Sequence, residues 1–167
     1  AEGSGTFAYT EFGQPGSIAS DTREAGLDIR TIRFANGVML NLKHTDLEKD
    51  RIRLKVSIDG GKMLNTQEKP LATELVPYLD EGGLGRHNED DLQTIMAGRT
   101  VNNEFQAEDS ALSATVQTTP RDLELQLDLL AAYVTDPGYR TEGVERYRQD
   151  INRYFAQLNA TPSSALS

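Results

Sequence analysis

The dipeptide Asn36-Gly37 constrains this chain more than any other pair of residues in it. Ile32 and Phe34 lead into it, and Val38, Leu40 and Leu42 follow, alternating with Met39, Asn41 and Lys43. Asparagine followed by glycine accepts positive φ at both positions, as a two-residue type I′ turn demands, and that turn matches the twist of two antiparallel strands. A hairpin with its apolar residues on one face is therefore predicted. A polar link, residues 44–50, comes next. Ile52, Leu54, Val56 and Ile58 then alternate with Arg51, Arg53, Lys55 and Ser57. Together the three runs predict an antiparallel meander with one apolar and one solvated face.

After Gly60-Gly61 the period lengthens. Leu71, Leu75, Tyr78 and Leu79 form a helical stripe that ends at Glu81-Gly82-Gly83. A second helix is marked by Asn88 as N-cap, Asp91 in capping-box position, and Leu92, Ile95 and Met96 as its apolar face, with Gly98 closing it. Val101/Asn103/Phe105 and Leu112/Ala114/Val116 are strands around the acidic turn Glu108-Asp109-Ser110. Residues 123–129 alternate as a strand would, yet Thr119-Pro120 reads as a cap with proline at the first helical position. The Leu-, Glu-, Gln- and Ala-rich composition also favours helix, and Asp136-Pro137-Gly138 stops it. A last helix spans about residues 142–158. The order predicts an α+β fold, a two-layer α/β sandwich whose largely antiparallel sheet carries helices on one face. Residues 1–28 are expected to be an irregular Gly/Pro-rich lead-in arm, 29–158 a single domain, and 159–167 a polar, truncated tail.

Composition narrows the chemistry. There is no cysteine, which excludes a disulfide framework, a thiolate zinc ribbon, an iron–sulfur cluster and a cysteine nucleophile. The 167 residues carry 17 Lys+Arg against 26 Asp+Glu, a net charge of −9 that opposes phosphate backbones and anionic lipid surfaces. No apolar run approaches the roughly 20 residues that cross a bilayer. His44 and His87 are too far apart for a zinc pair on one helix. The loop Gly82-Gly83-Leu84-Gly85 follows a helix rather than a strand and lacks a trailing Lys-Ser/Thr, so it reads as a helix cap, not a phosphate cradle. The acids Glu89, Asp90 and Asp91 beside His87 suit a helix first turn better than a metal cluster. His44 reads as solvated, Ser4 as part of a loose end, and Glu108/Asp109 as an exposed turn. The Asn159-Ala160-Thr161 sequon is weakened by Pro162. Taken alone, these residues describe an α+β domain without a self-contained active site.

The segment Phe34-Ala35-Asn36-Gly37-Val38-Met39-Leu40-Asn41-Leu42-Lys43 resembles the opening hairpin of the pitrilysin/insulinase-like zinc peptidases. Ile58-Asp59-Gly60-Gly61, the helix from Leu71, the Leu92 to Gly98 helix, and Asn102-Asn103 leading into Phe105 fit the same order. So do the helix over 123–134 with its stop at Asp136-Pro137-Gly138-Tyr139, and Glu145-Arg146 in the next helix. The ordered series, from about Tyr9 to Leu158, carries the resemblance rather than any one motif.

In that family an inverted motif, His-x-x-Glu-His, lies on the first helix after the meander. Its two imidazoles bind zinc, and its carboxylate polarises the attacking water. The positions that match here are Thr73, Val76 and Pro77, with Glu74 lacking a histidine partner. The resemblance therefore implies a non-catalytic, third-domain-like segment of a long-type member, with no catalytic or metal residue of its own and zinc in the parent's catalytic half. Its implied partners are the other domains of that parent and a peptide or protein substrate, in a bacterial periplasm or cell envelope. The alternative is a free-standing interaction module or non-catalytic subunit on the same fold.

Overall fold

A computed structural model describes residues 5–160. The chain forms two compact units, one of residues 11–51 and one of residues 1–10 with 52–167.

In the 11–51 unit, β1 (Ile18–Glu24), β2 (Ile29–Phe34) and β3 (Met39–Lys43) form an antiparallel sheet in the order β1-β2-β3. The expected hairpin is present with Ile32 opposite Leu40, but its loop is one residue longer than a type I′ turn. The Gly37 N–H donates to the Phe34 carbonyl at 3.0 Å and the Phe34 N–H to the Val38 carbonyl at 2.8 Å. Only Gly37 takes a positive φ, at 90°. This is the three-residue loop in which glycine alone occupies the left-handed region. Asn36 contributes differently, its Oδ1 accepting the Val38 N–H at 3.2 Å.

Strand β1 corrects the reading of residues 1–28 as irregular, and a boundary at 28/29 would cut the β1–β2 hairpin. Every β1 residue is exposed, so no apolar period announced it. The ladder to β2 holds it, helped by paired Arg30–Asp21 contacts and by Arg23 on Asp28.

The second unit holds β4 (Ile52–Asp59), β5 (Asn103–Ala107) and β6 (Ala111–Thr118), antiparallel in the order β4-β6-β5. The continuous meander is thus corrected: β4 pairs along its whole length with β6, Ile52 opposite Thr118 and Asp59 opposite Ala111, rather than with β3. Gly61, at φ 74°, passes under the β5–β6 turn, where a Cβ would stand 2.2 Å from the Glu108 carbonyl oxygen. No other residue fits there.

Leu54, Val56, Phe105, Ala114 and Val116 line the apolar side of this sheet and pack with Leu129, Leu130, Ala132 and Tyr133. Those four belong to α2 (Leu123–Thr135), whose helical state agrees with its composition and stop signal rather than its alternation. Each buried leucine contributes about 1.5–3 kcal/mol, enough to outweigh the period-two pattern. Helix α1 (Glu89–Met96) carries the expected capping box, with the Asn88 side chain accepting from Asp91 N–H at 2.8 Å and Asp91 accepting from Asn88 N–H at 3.2 Å. Helix α3 (Thr141–Ala160) continues through the first two residues of the expected tail, and 161–167 lie outside the described residues.

The segment expected to be a helix over 71–79 is a 3₁₀ helix at Ala72–Tyr78, followed by a 3₁₀ turn at Asp80–Gly82. Pro77 has no N–H to give the Thr73 carbonyl, so the α-type ladder cannot close there. The start of α2 also differs. Its N-cap is Asp122, not Thr119, and the Asp122 carboxylate turns away to accept from Thr100 N–H at 2.8 Å, Arg99 at 3.0 Å and Arg121 at 3.0 Å. Gln126, fully buried, accepts from Asn102 N–H at 2.9 Å and donates to Asn103 Oδ1 at 2.8 Å. These two side chains fasten α2 to the entry of β5.

Two stability tests follow. Gln126→Ala leaves the Asn102 N–H and Asn103 Oδ1 without their buried partner and should cost about 1–3 kcal/mol, read as a lowered urea midpoint at unchanged slope. The Arg121 guanidinium, then the Thr100 N–H and Arg99, hold the Asp122 carboxyl far below the ordinary carboxylate range. A depressed folded-state value contributes stability that is present above the unfolded value near 3.9 and is lost as pH falls below it. Asp122→Asn should therefore destabilise at pH 7 and narrow the stability lost between pH 5 and pH 2, as measured by urea unfolding at each pH.

Candidate functional site

The unit of residues 1–10 and 52–167 contains a cleft of about 450 Å³, within the roughly 300–1,000 Å³ typical of ligand sites. Val56 and Ile58 of β4, Phe105 of β5, Leu75 of the 3₁₀ helix, Leu130 of α2 and Val144 of α3 are among its walls. The two-residue period of the sheet and the stripe on α2 create this surface, because both aim their apolar residues at the same space.

Few polar groups reach it. Tyr133, inside the core and against the Phe105 ring at 5.4 Å, has its phenol pushed well above the ordinary range by burial, then by Asp80, Glu89 and Glu81. Tyr78 donates to Asp150 at 3.1 Å, and its phenol is raised by burial and by that bond. Both hydroxyls therefore stay protonated at neutral pH. They can donate hydrogen bonds but cannot act as nucleophiles or bases there. Asp80 is raised by burial, and Tyr133 reaches its main-chain carbonyl, at 3.5 Å, rather than its carboxyl.

One end of the cleft is built by Arg140. Its Nη1 donates to the carbonyls of Gly82 and Leu84, each at 2.7 Å, and of His87 at 3.3 Å, while Nη2 donates to Gly85 at 3.3 Å. The N–H groups of the same loop are also committed: Gly83 to Asp80, Leu84 to His87 and Gly85 to the Asp136 carbonyl. The glycine loop therefore turns carbonyl oxygens, not N–H groups, toward its central side chain, the wrong polarity for a phosphate. Sequence reasoning missed Arg140, because its partners are main-chain oxygens whose identity no residue type records.

The positions expected to correspond to the zinc motif can be placed one by one. Thr73 is 8% exposed, and its hydroxyl accepts from Asn65 Nδ2 at 2.9 Å while its N–H donates to Asn65 Oδ1 at 3.2 Å. Val76 packs against the core, while Glu74 and Pro77 are exposed. One occupied hydroxyl, one aliphatic chain and one pyrrolidine do not make a zinc donor set. Among the described residues no group of three or more His, Asp or Glu side chains could hold a metal ion.

The remaining candidates lie apart. His44 is exposed in the 11–51 unit, and Ser4 is outside the described residues. Glu108 accepts from Lys55 at 2.6 Å and from Ser113 at 2.9 Å, which lowers its carboxyl rather than poising it as a proton carrier. His87 is buried beside the amino-terminal segment: its Nε2 accepts the Ala8 N–H at 2.9 Å and its ring stacks on Phe7 at 5.6 Å. Asp91, the cap partner, is committed to Asn88. Among the described residues no helix is long and apolar enough to cross a membrane.

No protein-family model matches the sequence, and no curated protein matches it significantly. Solved structures do match. A mutant of the ferredoxin protease FusC, in complex with Arabidopsis ferredoxin, is similar over 94% of this chain at 14% identity with a TM-score of 0.76. The periplasmic protease PqqL from Escherichia coli is similar over 96% of this chain at 15% identity with a TM-score of 0.78. Both are pitrilysin-like peptidases. At these identities the likeness establishes the fold, α+β with antiparallel sheets, and the chain spans only 18% of each of those proteins.

The cleft makes a direct prediction. The fluorescent apolar probe 8-anilinonaphthalene-1-sulfonate should bind the native protein, and Leu75→Glu, a partly exposed wall position, should weaken that binding without loss of circular dichroism signal. Unchanged probe titration would show that the probe binds elsewhere.

Proposed function

We propose that this chain is a domain from the non-catalytic half of a zinc-dependent endopeptidase, where it helps to enclose and bind peptide substrate. The observation that carries the reading is the combination of near-complete coverage of this chain with 18% coverage of each protease it resembles. The replacement of the motif by Thr73, Val76 and Pro77 supports the assignment to the non-catalytic half. Zinc belongs, on this reading, to the catalytic half of the parent. The domain's part is mechanical and electrostatic. Its sheets and helices form wall, its cleft offers apolar contact to an extended peptide, and its charge of −9 favours basic substrates. A periplasmic setting is part of the same proposal, since one of the similar proteases is periplasmic.

The decisive observation is the reading frame that contains these residues. A preceding His-x-x-Glu-His is expected, and a frame of about this length alone would favour a non-catalytic subunit instead. A biochemical test runs beside it. The isolated chain should take up only substoichiometric zinc by plasma mass spectrometry and should cleave no peptide, whereas tight one-to-one zinc with chelator-sensitive proteolysis would overturn the proposal. Addition of the chain to the separately expressed catalytic half should raise that half's proteolysis.

A further inference from the structure

We propose that residues 7–9 form a strap that acid releases, with His87 as the sensing group. The His87 side chain belongs to a residue only 5% exposed, and its Nε2 accepts the Ala8 N–H at 2.9 Å. That bond requires a lone pair on Nε2, so the neutral ring carries its proton on Nδ1. The ring stacks on Phe7 at 5.6 Å and meets Tyr9 edge-on at 6.0 Å, and those two rings are themselves 5.5 Å apart, so the three form one triangular cluster. A second fastening lies at Tyr9, whose hydroxyl donates to Asp136 at 2.6 Å and accepts the Arg86 N–H at 2.8 Å.

The charged groups around His87 come from every element that packs there. Arg86, on the same loop, sits over the Tyr9 ring at 5.2 Å and donates to the Ala8 carbonyl at 3.3 Å. Arg140, just before α3, reaches the His87 carbonyl at 3.3 Å. Asp136, after α2, is engaged by Tyr9, and Glu89, Asp90 and Asp91 form the first turn of α1, with Asp91 returned to the Asn88 N–H. Tyr9, on the strap, stays protonated, its phenol raised by burial and by Asp136. Histidine is the side chain that ordinarily changes charge between pH 5 and 8. A second proton on His87 sets Nε2–H against the Ala8 N–H, donor facing donor. The strap then lifts.

The test is amide hydrogen exchange of the 167-residue chain at pH 7.5 and pH 5.0, corrected for intrinsic rates. Protection over residues 7–10 should fall about tenfold or more at pH 5.0 while peptides containing Val116 and Leu129 keep theirs. His87→Gln retains an acceptor at both pH values and should hold the strap equally at both, whereas His87→Phe should leave it open at both. Flat protection in the native chain, an equal fall in His87→Gln, or a parallel loss in the core would each overturn the proposal. If the variants fail to fold, the native chain still decides. The His87 ring-proton titration by NMR must share its midpoint with the strap's exchange, and separate midpoints would also overturn the proposal. The readout is independent of zinc and proteolysis, so it stands or falls apart from the proposed function.

Discussion

Arg140 holds together what the rest of the second unit depends on. Its guanidinium gathers carbonyls from Gly82, Leu84, Gly85 and His87, two of which, Leu84 and His87, also accept from each other's N–H groups. A charged donor at the centre of a loop folded back on itself adds bonds stronger than neutral ones. The consequence spreads in three directions. The loop's far end presents Asn88 as the cap of α1, its middle bridges to Pro137 at the end of α2, and Arg140 itself precedes the first turn of α3. Three helices are set relative to one another by one charged side chain with oxygen partners.

This centre explains what was legible in the sequence. Elements that owe their form to local chemistry were readable: the Asn88–Asp91 cap, the strand pair around residues 108–110, and α2, where composition overruled alternation. Pairings decided over distance were not. Nothing within residues 44–50 says that β4 must leave β3 and lie against β6, some sixty residues on, because its own alternation fits either partner. Strand β1 was hidden for the opposite reason, since a fully exposed strand needs no apolar period. Asp122 and Gln126 illustrate a third limit. Their residue types suggested solvent, and only the fold shows that loop N–H groups require them inside.

The candidate site was little legible in the sequence. Reading three positions against a motif singled out Thr73, Val76 and Pro77, but it could not reveal the cleft, whose walls come from seven separate elements. Its apolar walls and protonated tyrosines suit contact better than catalysis. The chain shares its fold with two proteases and spans 18% of the length of each.

The 3₁₀ character of the Ala72–Tyr78 segment bears on whether such a segment could hold a metal. Along an α-helix, residues four apart project about 40° from each other, so two imidazoles can close on one ion. With three residues per turn the same pair diverges by about 120°. Positions 73 and 77 therefore face different quarters of the surface, and the proline at 77 is itself part of what keeps them apart. A zinc pair at these two positions is opposed by the backbone as well as by the side chains, and the segment would have to be rewound before any ligand placed on it could serve.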